Sequence, residues 1–193
     1  DDNYSAEGKN PDAVHRKSKV NGMAMNEWAG SDWDYDYSKE HFIFLKLPHS
    51  LKPNATYTLE IDGSTHSLRS SAEFTFDIFS SRSEAIHTNL VGYLPDSRLK
   101  AADLYIYMGD GGTRDYSEFE GNDVYIYNVE AETSEKVGTV RFHQSEQKET
   151  QWNLTGSDVW SADFTGFSQP GTYRIAIEGV GCSQDFEISD DIY

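Results

Sequence analysis

Gln169-Pro-Gly-Thr-Tyr-Arg-Ile-Ala-Ile-Glu178 reads as a turn feeding a strand. Pro170-Gly171 suits the central positions of a tight turn. Beyond it Tyr173, Ile175 and Ile177 alternate with Thr172, Arg174, Ala176 and Glu178, so one face of the strand belongs to a core. Gly179 and Gly181 bound the hairpin leading to a last strand. The same rhythm recurs upstream. Strands are predicted at about 85–91, 101–107, 123–129, 136–143, 158–164, 172–178 and 183–188, separated by Gly, Asp, Asn and Pro turns. No stretch of helical period and useful length follows residue 83.

Seven short strands over residues 84–193 have the size and spacing of an immunoglobulin-like β-sandwich. The polar run Ser80-Ser-Arg-Ser83 is the best boundary upstream. Residues 41–80 read as a β-hairpin-rich module. It opens with the strand His41-Phe-Ile-Phe-Leu-Lys-Leu47, which the Pro48–Pro53 stretch breaks. Tyr57, Leu59 and Ile61 then alternate with polar neighbours, and Asp62-Gly63 is a hairpin turn signal. Phe74, Phe76 and Ile78 share one side of a further strand, with Leu68 a candidate for the same side. Residues 1–40 show no sustained period and carry Gly8, Pro11, Gly22 and Gly30. They read as a loop-rich segment with one or two short strands, forming one unit with 41–80. The fold class expected is all-β, an immunoglobulin-like sandwich preceded by a smaller β-rich module.

Composition narrows the function. The chain has 193 residues, 16 basic and 33 acidic, for a net charge of -17. Such a surface repels phosphate backbones and anionic membranes, so nucleic acid and membrane docking are excluded as partners. No run approaches the ~20 apolar residues of a membrane helix. Aromatics make up 13% of the chain, against the poverty in rings that marks disorder. The single cysteine, Cys182, rules out an intrachain disulfide and reads as a small buried hydrophobe. The opening Asp-Asp-Asn-Tyr, without Met or an apolar leader, looks like a mature or trimmed segment.

Three groups of side chains are candidates for chemistry. In Trp28-Ala-Gly-Ser-Asp-Trp-Asp-Tyr-Asp-Tyr37, period two puts Trp33, Tyr35 and Tyr37 on one face and Asp32, Asp34 and Asp36 on the other. With Trp28 these rings form either a carbohydrate-stacking platform or packing for a thin core or an inter-module seam. Asp110 and Asp115, with Glu118, lie on the Gly-rich loop Met108–Asp115. This is either a Ca²⁺ site of oxygen ligands or a solvated turn. Trp152 and Trp160 flank the strand at 158–164 and read as packing residues or as contacts to a following domain. The six histidines are scattered without metal-ligand spacing. Neither a cofactor nor a catalytic residue is assigned.

Ile86-His-Thr-Asn-Leu-Val-Gly-Tyr-Leu-Pro95 resembles the opening strand of the Ig-like domain that precedes the catalytic barrel in glycoside hydrolase family 9, the cellulase-type enzymes. The family core reads Asn-Gln-Val-Gly-Tyr-x-Pro followed by Lys. Asn89, Val91, Gly92, Tyr93, Pro95 and Lys100 match it, while Leu90 replaces Gln. Asp163–Arg174 is similar to the family's Asp-Phe-Ser…Pro-Gly-Thr-Tyr-Arg run, through Pro170, Gly171 and Tyr173. Ser183–Ile188 is similar to its closing strand, and Asp191-Ile-Tyr193 to the exit toward the catalytic module. The resemblance implies a non-catalytic accessory region of an extracellular or periplasmic polysaccharide-degrading enzyme. Its partner would be an (α/α) barrel outside this chain, since the family's Asp-Ala-Gly-Asp motif is absent here. A glycan-binding or adhesive module, and a structural subunit of an extracellular β-sandwich assembly, stay open beside it.

Overall fold

The computed structural model describes residues 1–5, 9–28, 30–146 and 155–192. Among these, thirteen strands form four sheets. The first two are β1 (Ala13–Trp28) and β2 (Trp33–Lys46), then β3 (Thr56–Glu60) and β4 (Ser71–Thr75). The larger body holds β5 (Ile86–His87), β6 (Ala101–Leu104), β7 (Asp123–Asn128), β8 (Thr133–Thr139) and β9 (Arg141–Gln144). It continues with β10 (Val159–Asp163), β11 (Gly171–Ile177), β12 (Gly181–Cys182) and β13 (Phe186–Ile188).

The body is a two-layered antiparallel sandwich. One layer runs β5-β6-β10-β9, and the other runs β12-β11-β7-β8, with β13 also on β11. The alternation around Tyr173 works as the sequence suggests. Tyr173, Ile175 and Ile177 are buried and join Val124 and Ile126 of β7 in the core. Leu104 and Trp160 meet them from the other layer. Each such apolar side chain stabilises the fold by roughly 1.5–3 kcal/mol relative to exposure. The Trp160 ring packs edge-on against Phe142 at 5.6 Å and against Tyr116 at 6.2 Å, so this tryptophan is a core residue. Trp152 and Tyr193 lie outside the described residues. Cys182 is fully buried, and burial raises its thiol pKa above the ordinary value.

The strand expected over 136–143 is two strands in different layers. β8 pairs with β7, β9 pairs with β10, and fully buried Val140 sits at the crossing. The entry and exit of the sandwich are also tied to each other. Parallel bridges link Arg82 to Cys182 and Tyr93 to Ile188. Their backbone hydrogen bonds include Ser83 N to Cys182 O at 2.8 Å and Tyr93 N to Glu187 O at 2.9 Å.

The loop-rich reading of residues 1–40 is corrected. β1 is a 16-residue strand and pairs antiparallel with the 14-residue β2, so a division at 40/41 falls inside β2. Both faces of this ribbon are wet along much of its length, so β1 needs no hydrophobic alternation and shows none. Gly22 does not break the strand. It stands at a register shift, where a β-carbon would meet Ser38 Oγ at 2.5 Å. The Asp62-Gly63 hairpin is corrected as well. A type I′ turn needs positive φ at both central residues, and Asp62 has φ -62°. Asp62 instead caps the short 3-10 turn Gly63–Thr65, accepting from Ser64 N at 2.8 Å. A ten-residue connection therefore joins β3 to β4, and Leu68 on it is fully exposed. Phe79 leads into the sandwich, stacked on Tyr127 at 5.2 Å.

Candidate functional site

Residues 89–100 build a locked corner at the entry of the sandwich. Asn89 Nδ2 donates to Gly92 O at 2.8 Å, and Asn89 Oδ1 accepts from Val91 N at 3.1 Å. Gly92 has φ +119°, a conformation that L side chains rarely adopt. A β-carbon there would lie 2.5 Å from Glu187 O and 2.5 Å from Ile192 Cδ1. The glycine thus admits β13 and the outgoing Ile192 against the loop. Tyr93 is buried between the rings of Phe164 and Phe186, edge-on at 5.2 and 5.4 Å. Its hydroxyl accepts from Asn89 N at 2.9 Å and donates to Ala101 O at 2.9 Å.

Lys100 completes the corner. It has no solvent exposure, and its ammonium donates to Pro95 O at 2.9 Å and to Ser97 O at 3.4 Å. Its own backbone binds Thr165 and Phe164, which fastens the loop to the end of β10. Around this rigid backbone Leu90, Val91 and Leu99 are 66%, 60% and 68% exposed. The corner therefore holds three aliphatic side chains outward beside the departing Ile192. Sequence reasoning named the lock residues but not this surface. The signal was three apolar residues that fit no alternating strand.

The second run of motif residues anchors the other layer. Gly171 has φ +149°, and a β-carbon there would meet the Tyr173 hydroxyl at 3.0 Å. The Tyr173 hydroxyl donates back to Pro170 O at 3.2 Å. This resembles the tyrosine corner of Ig-type sandwiches. Arg174 donates to Asp185 Oδ1 at 2.5 Å and to Phe79 O at 3.0 Å. Arg82 reaches the same carboxylate at 2.9 Å. Burial opposes the charge of Asp185, but Arg174 and then Arg82 outweigh it and hold the carboxyl below its ordinary pKa.

Asp110 and Asp115 are each engaged by the protein. Asp110 Oδ1 accepts from Arg16 N at 2.8 Å and lies 3.7 Å from His15 Nδ1. Asp115 accepts from Ser117 N at 2.8 Å and from Ser117 Oγ at 3.0 Å, which holds its pKa down. Among the described residues no group of three or more His, Cys, Asp or Glu is placed to hold a metal ion. The glycines of this loop serve another purpose. A β-carbon at Gly109 would overlap the backbone of Arg16 and Lys17, and one at Gly111 would meet the His15 ring at 2.5 Å. The loop is the seat on which the base of β1 rests. Lys17 adds an ion pair to Glu84 at 2.9 Å across an open cleft of about 410 Å³.

The aromatic run lies at the far end of the ribbon. Trp28 and Trp33 are cross-strand partners, with ring centroids 5.2 Å apart and planes at 68°. They are 55% and 42% exposed, so within this chain they fill neither a core nor a seam. The register places Tyr35 opposite Met25 and Tyr37 opposite Met23 on the same face. Asp34 and Asp36 project from the other face.

Among the described residues no helix is long and apolar enough to cross a membrane. No curated protein matches the chain. A solved structure described as Bacteroides ovatus GH9 is similar at 18% identity and a TM-score of 0.41, over 58% of this chain and 17% of that one. A metagenome-derived glycoside hydrolase family 9 endoglucanase is similar at 23% identity and a TM-score of 0.43, over 54% of this chain and 18% of that one. The chain thus spans less than a fifth of the length of either structure. The sequence model of the cellulase N-terminal Ig-like domain matches residues 81–182, the stretch that holds the locked corner and the Tyr173 anchor. With more than half of its residues inside that match, the chain belongs to the family of cellulase N-terminal Ig-like domains.

Proposed function

We propose that this chain is the non-catalytic β region of an extracellular or periplasmic, family 9-like glycoside hydrolase that degrades polysaccharide. The sandwich buttresses a catalytic domain through the loop 89–100. Family membership over residues 81–182 supports the reading. The observation that carries it is the corner itself, where Leu90, Val91 and Leu99 stand exposed on a backbone fixed by buried Tyr93 and Lys100. A fixed apolar loop beside the exit at Ile192 suits the centre of an interface with a domain that follows.

The test uses the 193-residue chain joined to a family 9 catalytic domain. The expected result is that Leu90→Asp with Leu99→Asp lowers the thermal midpoint and the turnover of soluble cellulose in the joined protein. The same pair should leave the fold of the separate chain intact by circular dichroism. Hydrolysis of cellulose by the separate chain would overturn the non-catalytic assignment. An unchanged joined protein would overturn the buttress.

A further inference from the structure

We propose that the cleft between the base of β1 and the β5 end of the sandwich is a binding site for a short stretch of neutral saccharide. The inference deepens the polysaccharide reading and rests on it only for the choice of a glucan as the first probe.

The cleft measures about 410 Å³, within the ~300–1,000 Å³ range of small-molecule sites. β5 stands at the end of its layer, so this side of the sandwich is open. Two parts of the chain supply the walls. β1 contributes Lys17 and Lys19, and the sandwich contributes Glu84, His87, Tyr105 and Tyr107. The polar heads are positioned in advance. The ammonium groups of Lys17 and Lys19 stand over the Phe42 ring at 4.9 and 4.8 Å, and Lys17 pairs with Glu84 at 2.9 Å. The ring surface is fixed too. His87 and Tyr105 stack with centroids 4.1 Å apart and planes at 17°. His87 Nε2 donates to Tyr105 O at 3.0 Å, since a carbonyl has no proton to give. Tyr107 beside them is 56% exposed. Thr88 also lines the cleft, and its buried hydroxyl has no hydrogen-bond partner among the described residues. A polar molecule bound here has a bond to complete.

The lining selects the ligand. An anion approaches against the field of a chain that carries -17. An organic cation meets Lys17 and Lys19. A wholly apolar molecule strips water from these ammonium groups and from Glu84 without replacing its hydrogen bonds. A neutral sugar meets every requirement. Its hydroxyls donate to the Glu84 carboxylate and accept from Lys17 and Lys19, while its C–H face lies on the rings. An apolar surface with a few fixed polar groups is the general form of such a site. Leu90, exposed at the cleft, also belongs to the locked corner. A glycan held here therefore lies beside the domain that the corner is proposed to meet.

Titration of the 193-residue chain with cellotetraose, xylotetraose and mannotetraose, followed by amide chemical shifts, tests the proposal. Saturable shifts at residues 17–19, 83–88 and 105–107 are expected at millimolar sugar, and the tightest of the three names the preferred backbone. Glu84→Gln and Tyr107→Ala alter exposed side chains and should each weaken binding at least ~10-fold. Trp33→Ala, at the far end of the arm, should bind as the unaltered chain does. Absence of saturation by all three sugars would overturn the site. So would binding that survives both cleft variants and is lost in Trp33→Ala, which would assign the sugar to the arm. Tighter binding of an oligomer of glucuronic acid would overturn the neutral class. Turnover by the joined protein is a separate measurement, so an empty cleft leaves the buttress standing, and a failed buttress leaves the cleft to these titrations.

Discussion

The ammonium of Lys100 donates to the carbonyl oxygen of Pro95 at 2.9 Å, from a side chain with no exposure to solvent. A buried cation is retained only where its protons find acceptors, and here they are backbone oxygens of the loop it closes. Lys100→Met keeps the bulk and leaves Pro95 O and Ser97 O without this donor. The expected loss is about 1–3 kcal/mol, read from the urea midpoint. Hydrogen exchange should show the loop 89–99 opening first.

Gly92→Ala tests the close approach. The positive φ alone costs about 1–3 kcal/mol, and the clash with Glu187 O adds to it. Adding Ile192→Ala should recover only the share of the loss due to the Ile192 side chain. Full recovery in the double variant would show that the backbone is not the constraint. Thermal melting of the single and double variants separates these outcomes.

Asp185 gives the fold a pH dependence of known sign. Its carboxyl titrates below the ordinary value when folded. It therefore stabilises the fold above the unfolded value, near 4, and that contribution is lost as pH falls through the folded value. Its side chain is 40% exposed, so screening keeps the effect modest. Asp185→Asn should be less stable at neutral pH and show a shallower fall of the denaturation midpoint below pH ~4.

Asp110 is expected to hold the arm to the sandwich. Asp110→Ala removes the acceptor for Arg16 N. Amide exchange at Arg16 and its neighbours in β1 should speed up, with the melting of the sandwich unchanged. Equal loss of stability in arm and sandwich would show instead that the Gly-rich loop belongs to the core.

The sequence is most readable where one face of a strand is dry and the other wet. Tyr173, Ile175 and Ile177 announce β11 because all three point between the layers. β1 is silent because both faces are wet along much of its length, and at its base the half-buried side is filled by His15 and Lys17, so no apolar alternation marks it. Gly109 and Gly111 are conspicuous in sequence, but their reasons are the backbone of Arg16 and Lys17 and the ring of His15, some ninety residues away. Only tertiary structure supplies that partner. Asp62-Gly63 carries a turn signal that two geometries share, and the local cap to Ser64 selects between them. Lys100 is visible only through the motif it completes, since a lone lysine before a strand ordinarily reads as surface.

The paired entry and exit strands have a mechanical meaning. Because the bridges at Arg82–Cys182 and Tyr93–Ile188 are parallel, tension applied to the two ends of the sandwich pulls these segments past each other. The hydrogen bonds that join them are then strained together in shear and cannot break in succession like the teeth of a zip.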